Sequence, residues 1–152
     1  MLLLLVVPAT LAGGPNMLVW LTHNHARITA DHRDPTLRPI RLDLPPEAAA
    51  RAAAARLATL RGWEVTDPPA PAPDGDRGGY VLRATRTTRL WRFVDDIELG
   101  FYPAADAGGA ATDVAGASRS RVGKGDFGQN ARNLREALRA IRALPPAPGQ
   151  PR

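Results

Sequence analysis

The chain has 152 residues, enough for one domain with a modest core. It has no cysteine, which excludes disulfides and thiolate metal sites, and only 5% of its residues are aromatic. Its net charge of +5 comes almost wholly from arginine, since Lys124 is the sole lysine, and that charge is spread along the whole chain.

Met1 to Leu21 carry no charged side chain. About 20 residues suffice to cross a bilayer, so residues 1–21 are expected to be an anchor or a secretory signal. Residues 22–44 read as a linker. It holds His23, His25 and His32 with Asp31 and Asp34 nearby. Their spacing matches neither a structural zinc site nor a metalloprotease helix, so no metal site is expected. "DPTLRPIRLDLPP" reads as an extended lead-in, because a residue before proline is biased away from helix.

The spacing predicts a first helix over Pro46–Leu60, capped by Asp43, with Ala49, Ala53, Leu57 and Leu60 on its core stripe. Gly62 ends it. Strands are expected at Trp63–Asp67, at Tyr80–Thr87, within "RLWRFVDDIELGFYP", which starts as a turn or bulge, and at Thr112–Val122. Proline and glycine between the first two predict a loop from Pro68 onward. A second helix is expected from Asp126 or Phe127 to Leu144, with Phe127, Ala131, Leu134, Leu138 and Ile141 on one apolar stripe and Arg132, Arg135, Arg139 and Arg142 forming a basic flank. Residues 145–152 read as a disordered tail. The expected architecture is α+β: a two-layer sandwich over 45–144, order α-β-β-β-β-α, with about four antiparallel strands and two helices on one face.

Gly123-Lys124-Gly125-Asp126-Phe127-Gly128 fits G-x-G-x-x-G. A dinucleotide site also needs a parallel strand after the helix, and here the helix runs into a proline-rich end, so no cofactor is expected. The amides of this segment could attract an anion, but an Asp126 cap would occupy them itself.

"RTTRLWRFVDDIEL" followed by "SRSRVGKGDFGQNARNLREAL" resembles domain-of-unknown-function family 1499 of bacteria and plastids. Arg89, Phe93 to Asp96, Ser118 to Gly123, Asp126, Gly128 and Asn130 carry the resemblance, over roughly Pro46 to Leu144. Ala131 departs from the arginine usual after the motif's Asn, and a cysteine-containing N-terminal stretch of many members is missing. Members often carry a hydrophobic N-terminal segment. The resemblance implies a site but no reaction.

Pairing the last two strands as a hairpin predicts Asp95 opposite Arg119 and Glu98 opposite Gly116. Arg89, Asp95, Asp96, Ser118, Arg119, Arg121, Asp126 and Asn130 then form either a site for a carboxylate or phosphate or a structural ion-pair cluster. Asp95 and Asp96 point to opposite faces, and Ser118 and Ser120 lack a histidine base, so no catalytic set is expected. The leading expectation is a non-catalytic domain at the membrane or cell envelope (periplasmic or extracytoplasmic), binding a protein partner or a small anionic ligand. The alternatives are a carboxylate-dependent hydrolase, nucleic-acid binding through the helical arginines, and a cytoplasmic location.

Overall fold

A computed structural model describes residues 25–73, 78–90, 92–122 and 128–145. Met1–Leu21, His23, Asp126, Phe127 and residues 146–152 of the tail lie outside these residues. The described chain folds as β1 (His25–Ile28), a single 3-10 turn (Pro35–Leu37), β2 (Ile40–Leu42), α1 (Pro46–Ala58), β3 (Trp63–Pro71), β4 (Tyr80–Thr87), β5 (Val94–Pro103), β6 (Thr112–Ser120) and α2 (Gln129–Arg142). One antiparallel sheet runs in the order β1-β6-β5-β4-β3, with β2 also on β6.

The α+β class and antiparallel pairing are as expected, but there are six strands rather than four, and the order begins with strand rather than helix. Both extra strands come from the stretch read as linker. β1 pairs with Arg119 to Gly116 and β2 with Val114 to Thr112, so together they form one edge strand interrupted by residues 29–39. Pieces of four and three residues are too short to show a period of two. The excursion is pinned from both sides: Leu37 is buried, and Asp34 accepts from Thr36 N at 2.9 Å and from Arg135 Nη2 of α2 at 2.6 Å.

α1 starts where the sequence placed it. Its N-cap is Pro45 rather than Asp43 and makes no side-chain cap, while Pro46 suits the first turn, whose N–H has no helical partner. Ala49, Ala50, Ala53 and Leu57 are fully buried. β3 extends four residues beyond the expected Asp67, through "PPAP". Register shifts between Val65 and Asp67 and between Asp67 and Ala70 absorb the prolines, which an edge strand tolerates because its outer N–H groups need no partner.

The register places Asp95, Ile97, Leu99 and Phe101 of β5 in line with Ser120, Ser118, Gly116 and Val114 of β6, and with Arg86, Ala84, Leu82 and Tyr80 of β4. This face carries both helices. Tyr80 Oη donates to Glu47 of α1 at 3.1 Å, and Arg86 Nε donates to Glu136 of α2 at 3.1 Å. Leu82, Leu99, Phe101 and Val114 close the core against Leu57, Leu134, Leu138 and Ile141. Each such side chain contributes about 1.5–3 kcal/mol on burial.

The expected register was off by one. Asp95 pairs with Ser120, Asp96 with Arg119 and Glu98 with Ala117. The connection between β5 and β6 closes with Ala104 opposite Ala111, where Ala104 N–H donates to Ala111 O at 2.9 Å, and that closure sets the pairing. A one-residue slip exchanges the two faces of a strand relative to its neighbour, so this correction decides which aspartate meets the arginines.

Candidate functional site

Under α2 the motif residues form a closed polar network. Ser118 Oγ donates to Asn130 Oδ1 at 2.7 Å, and Asn130 Nδ2 donates to Ser120 Oγ at 3.1 Å. Ser120 Oγ in turn donates to Asp95 Oδ1 at 2.7 Å, while Asn133 Nδ2 donates to Asp95 Oδ2 at 2.7 Å. Asp95, Ser118, Asn130 and Asn133 are all buried. Buried polar groups are costly unless hydrogen-bonded, and these are bonded to one another. The network locks α2 onto β5 and β6. Asn133 was missed in the sequence, although an Asn on the stripe with Leu134 and Ala137 is a signal that the helix buries a polar contact.

The other face of the sheet carries no helix among the described residues. A groove of about 390 Å³ crosses it from β1 to β3. Arg27, Arg83, Arg119 and Arg121 line it together with Asp67, Asp96 and Glu98. Strand pairing sets them in rows: Arg27, Ala117, Glu98, Arg83 and Asp67 form one, and His25, Arg119, Asp96 and Thr85 the next. The small side chain of Ala117 leaves room at the centre. Arg83 Nε donates to Glu98 Oε2 at 3.0 Å. Arg121 chelates Asp96, with Nη2 at 2.7 Å from Oδ1 and Nε at 3.0 Å from both oxygens. The hydrogen bonds to Asp96 push the Arg121 guanidinium above its ordinary range. His25, expected in a linker, lies in β1, and its Nδ1 is buried with no hydrogen-bond partner among the described residues.

The eight residues singled out in the sequence therefore separate. Asp96, Arg119 and Arg121 line the groove; Asp95, Ser118 and Asn130 lie beneath α2; Arg89 is exposed in the β4–β5 turn; Asp126 is outside the described residues. Of the glycine pattern only Gly128 is described. It sits at the α2 N-cap with φ of 76°, a left-handed conformation that suits glycine. The sheet is antiparallel throughout, so it holds no βαβ unit among the described residues. His25 faces the groove while Ser118 and Ser120 face α2, which separates the serines from that imidazole.

The family model described as "Protein of unknown function (DUF1499)" matches residues 14–141. The chain belongs to this family. The DUF1499 match starts ahead of β1 and so takes in the broken edge strand, α1 and all of α2 but its last residue. No curated protein matches the chain, and no solved structure does. Within this DUF1499 domain the Ser-Arg-Ser-Arg segment serves both faces at once: its serines bind α2 and its arginines line the groove.

Proposed function

We propose that this DUF1499 domain is a non-catalytic binding domain at the membrane or cell envelope, held there by Met1–Leu21, and that its groove takes a small anionic ligand. The observation that carries the reading is the convergence of Arg27, Arg83, Arg119 and Arg121 on one groove against three carboxylates, four positive charges to three negative. Glu98 and Asp96 brace two of the guanidiniums, which orients them for a carboxylate or phosphate. The volume suits a small molecule. An acidic side chain of a protein partner would offer the same carboxylate chemistry.

A hydrolase has less support. Both oxygens of Asp95 are taken by Ser120 and Asn133, and both oxygens of Asp96 by Arg121, so neither is presented to a substrate proton. Nucleic-acid binding through α2 loses Arg135 to Asp34, and the helix carries no aromatic on which a base could stack.

Calorimetric titration of the full chain with inorganic phosphate and with citrate tests the groove. Saturable heat should shrink with added salt, and Arg119→Ala should weaken binding roughly tenfold, about 1.4 kcal/mol. No saturable binding of either anion, or wild-type binding by Arg119→Ala, rejects the groove as an anion site.

A further inference from the structure

The large apolar side chains that stand exposed among the described residues are gathered at one end of the sheet. Leu90 is 80% exposed, Val122 61% and Phe93 46%. Leu90 and Phe93 belong to the turn between β4 and β5. That turn is pinned at its base: Thr88 N–H donates to Phe93 O at 2.8 Å, and Phe93 N–H donates to Thr88 Oγ1 at 2.9 Å. Val122 is beside it, because Arg121 N–H donates to Val94 O at 3.1 Å.

Three exposed arginines share this end. Arg89 and Arg92 flank Leu90 in the turn, and Arg61 is brought alongside by the bond from Thr87 N–H to Gly62 O at 2.8 Å. None of the three is in an ion pair among the described residues. The opposite end differs in charge. There Asp106 and Asp113 engage Arg41, and Glu47 lies in the first turn of α1.

The chain also enters the sheet at the apolar, basic end. His25 opens β1 opposite Arg119, in the row that continues through Asp96 to Thr85, two residues from the end of β4. Leu21, the last residue of the uncharged N-terminal stretch, is four residues earlier, at most about 14 Å of extended chain.

We propose that this end of the domain is a membrane-contacting surface for an anionic bilayer. Leu90, Phe93 and Val122 enter the boundary between headgroups and acyl chains, and Arg61, Arg89 and Arg92 meet lipid phosphates. The proposal rests on the reading of Met1–Leu21 as a membrane segment. Exposed apolar residues scattered singly need no explanation. Here they coincide with arginines that are in no ion pair among the described residues, and with a tether too short to let the domain turn away. Apolar side chains ringed by basic ones match the chemistry of an anionic interface, where burial and charge attraction act together.

The chain has no cysteine, so Leu90→Cys, Val122→Cys and Ala105→Cys each create one labelling position for a polarity-sensitive fluorophore. Ala105 is exposed in the β5–β6 connection at the far end. The full-length variants are reconstituted with vesicles of equal parts phosphatidylcholine and phosphatidylglycerol, and with phosphatidylcholine alone. With the anionic vesicles, labels at 90 and 122 should shift to the blue and escape quenching by aqueous iodide, while the label at 105 stays water-like. Adding Arg89→Gln and Arg92→Gln to the Leu90→Cys chain should reduce its shift to that seen with phosphatidylcholine alone. Flotation of the vesicles reads the anchor separately. Protein that floats with water-like labels at 90 and 122 overturns the contact surface and leaves the anchor standing. Equal shifts at 90, 122 and 105 mean unoriented adsorption and also overturn it. Protein that does not float at all defeats both readings.

Discussion

Asn133 Nδ2 reaches Asp95 Oδ2 at 2.7 Å between a helix and a strand 38 residues apart in sequence, and both side chains are buried. The amide of Asn133 is also held from outside, because Gln129 Nε2 donates to its Oδ1 at 2.8 Å. Removing Asn133 leaves a buried carboxylate oxygen without its donor. Asn133→Leu should therefore destabilise the domain by about 2–4 kcal/mol, more than the loss of an ordinary hydrogen bond. Urea denaturation checks this; a midpoint unchanged from wild type would show that the network does not hold α2 in place.

Acid should weaken the fold at the edge strand. The Thr36 hydroxyl, followed by Arg135, holds the Asp34 carboxyl well below its ordinary value of 3.8. A carboxylate depressed in the folded state adds stability that is complete above the unfolded value and is lost as pH falls from there towards the folded value. Glu47, bonded first by Arg51 and then by Tyr80, and Asp106, bonded by Arg41, are lowered too and act in the same direction. The denaturation midpoint should fall as pH drops below about 4, and Asp34→Asn should make that fall shallower. An identical pH profile for the variant would remove Asp34 from the account.

Gly116 faces Leu99 in the centre of the sheet. A Cβ added there would lie 2.6 Å from Leu99 Cδ2 and 2.7 Å from the backbone oxygen of Glu98. Backbone in a central strand cannot yield, so Gly116→Ala should cost about 1–3 kcal/mol. At Gly100 the three atoms nearest an added Cβ belong to the Tyr102 side chain rather than to backbone. Thermal melts should show Gly116→Ala as the more damaging of the two substitutions.

The groove arginines should separate binding from stability. The Arg121–Asp96 pair is at the surface, with side chains 53% and 34% exposed, and exposed ion pairs contribute little to folding. Arg121→Ala should leave the denaturation midpoint close to wild type while the heat of phosphate titration falls. A large loss of stability with unchanged titration would make the pair structural.

How far the sequence could be read depended on the range of the forces involved. α1 begins at Pro46 and β4 spans Tyr80–Thr87 as the residue pattern says, because helix propensity and alternation act between near neighbours. The stripe of Leu134, Leu138 and Ile141 is buried as its spacing demands. β1 and β2 escaped notice because neither is long enough to carry a pattern, and each depends on the far edge of β6 for its hydrogen bonds. The site was half legible. Ser118 to Arg121 stood out as a motif with alternating faces, but Asn133, His25 and Arg27 join their clusters only through contacts with distant strands.

The sequence by itself determined the class of fold, both helical stripes, the absence of thiol chemistry and the separation of Asp95 from Asp96 onto opposite faces, all consequences of local periodicity and composition. Only the tertiary structure decided which aspartate meets which arginine. That choice hangs on the one-residue register of β5 against β6, set by how the connection at 104–111 closes. It sets Asp95 against Ser120 and Asp96 against Arg119, because strand pairing is fixed by hydrogen bonds between segments that local pattern does not align.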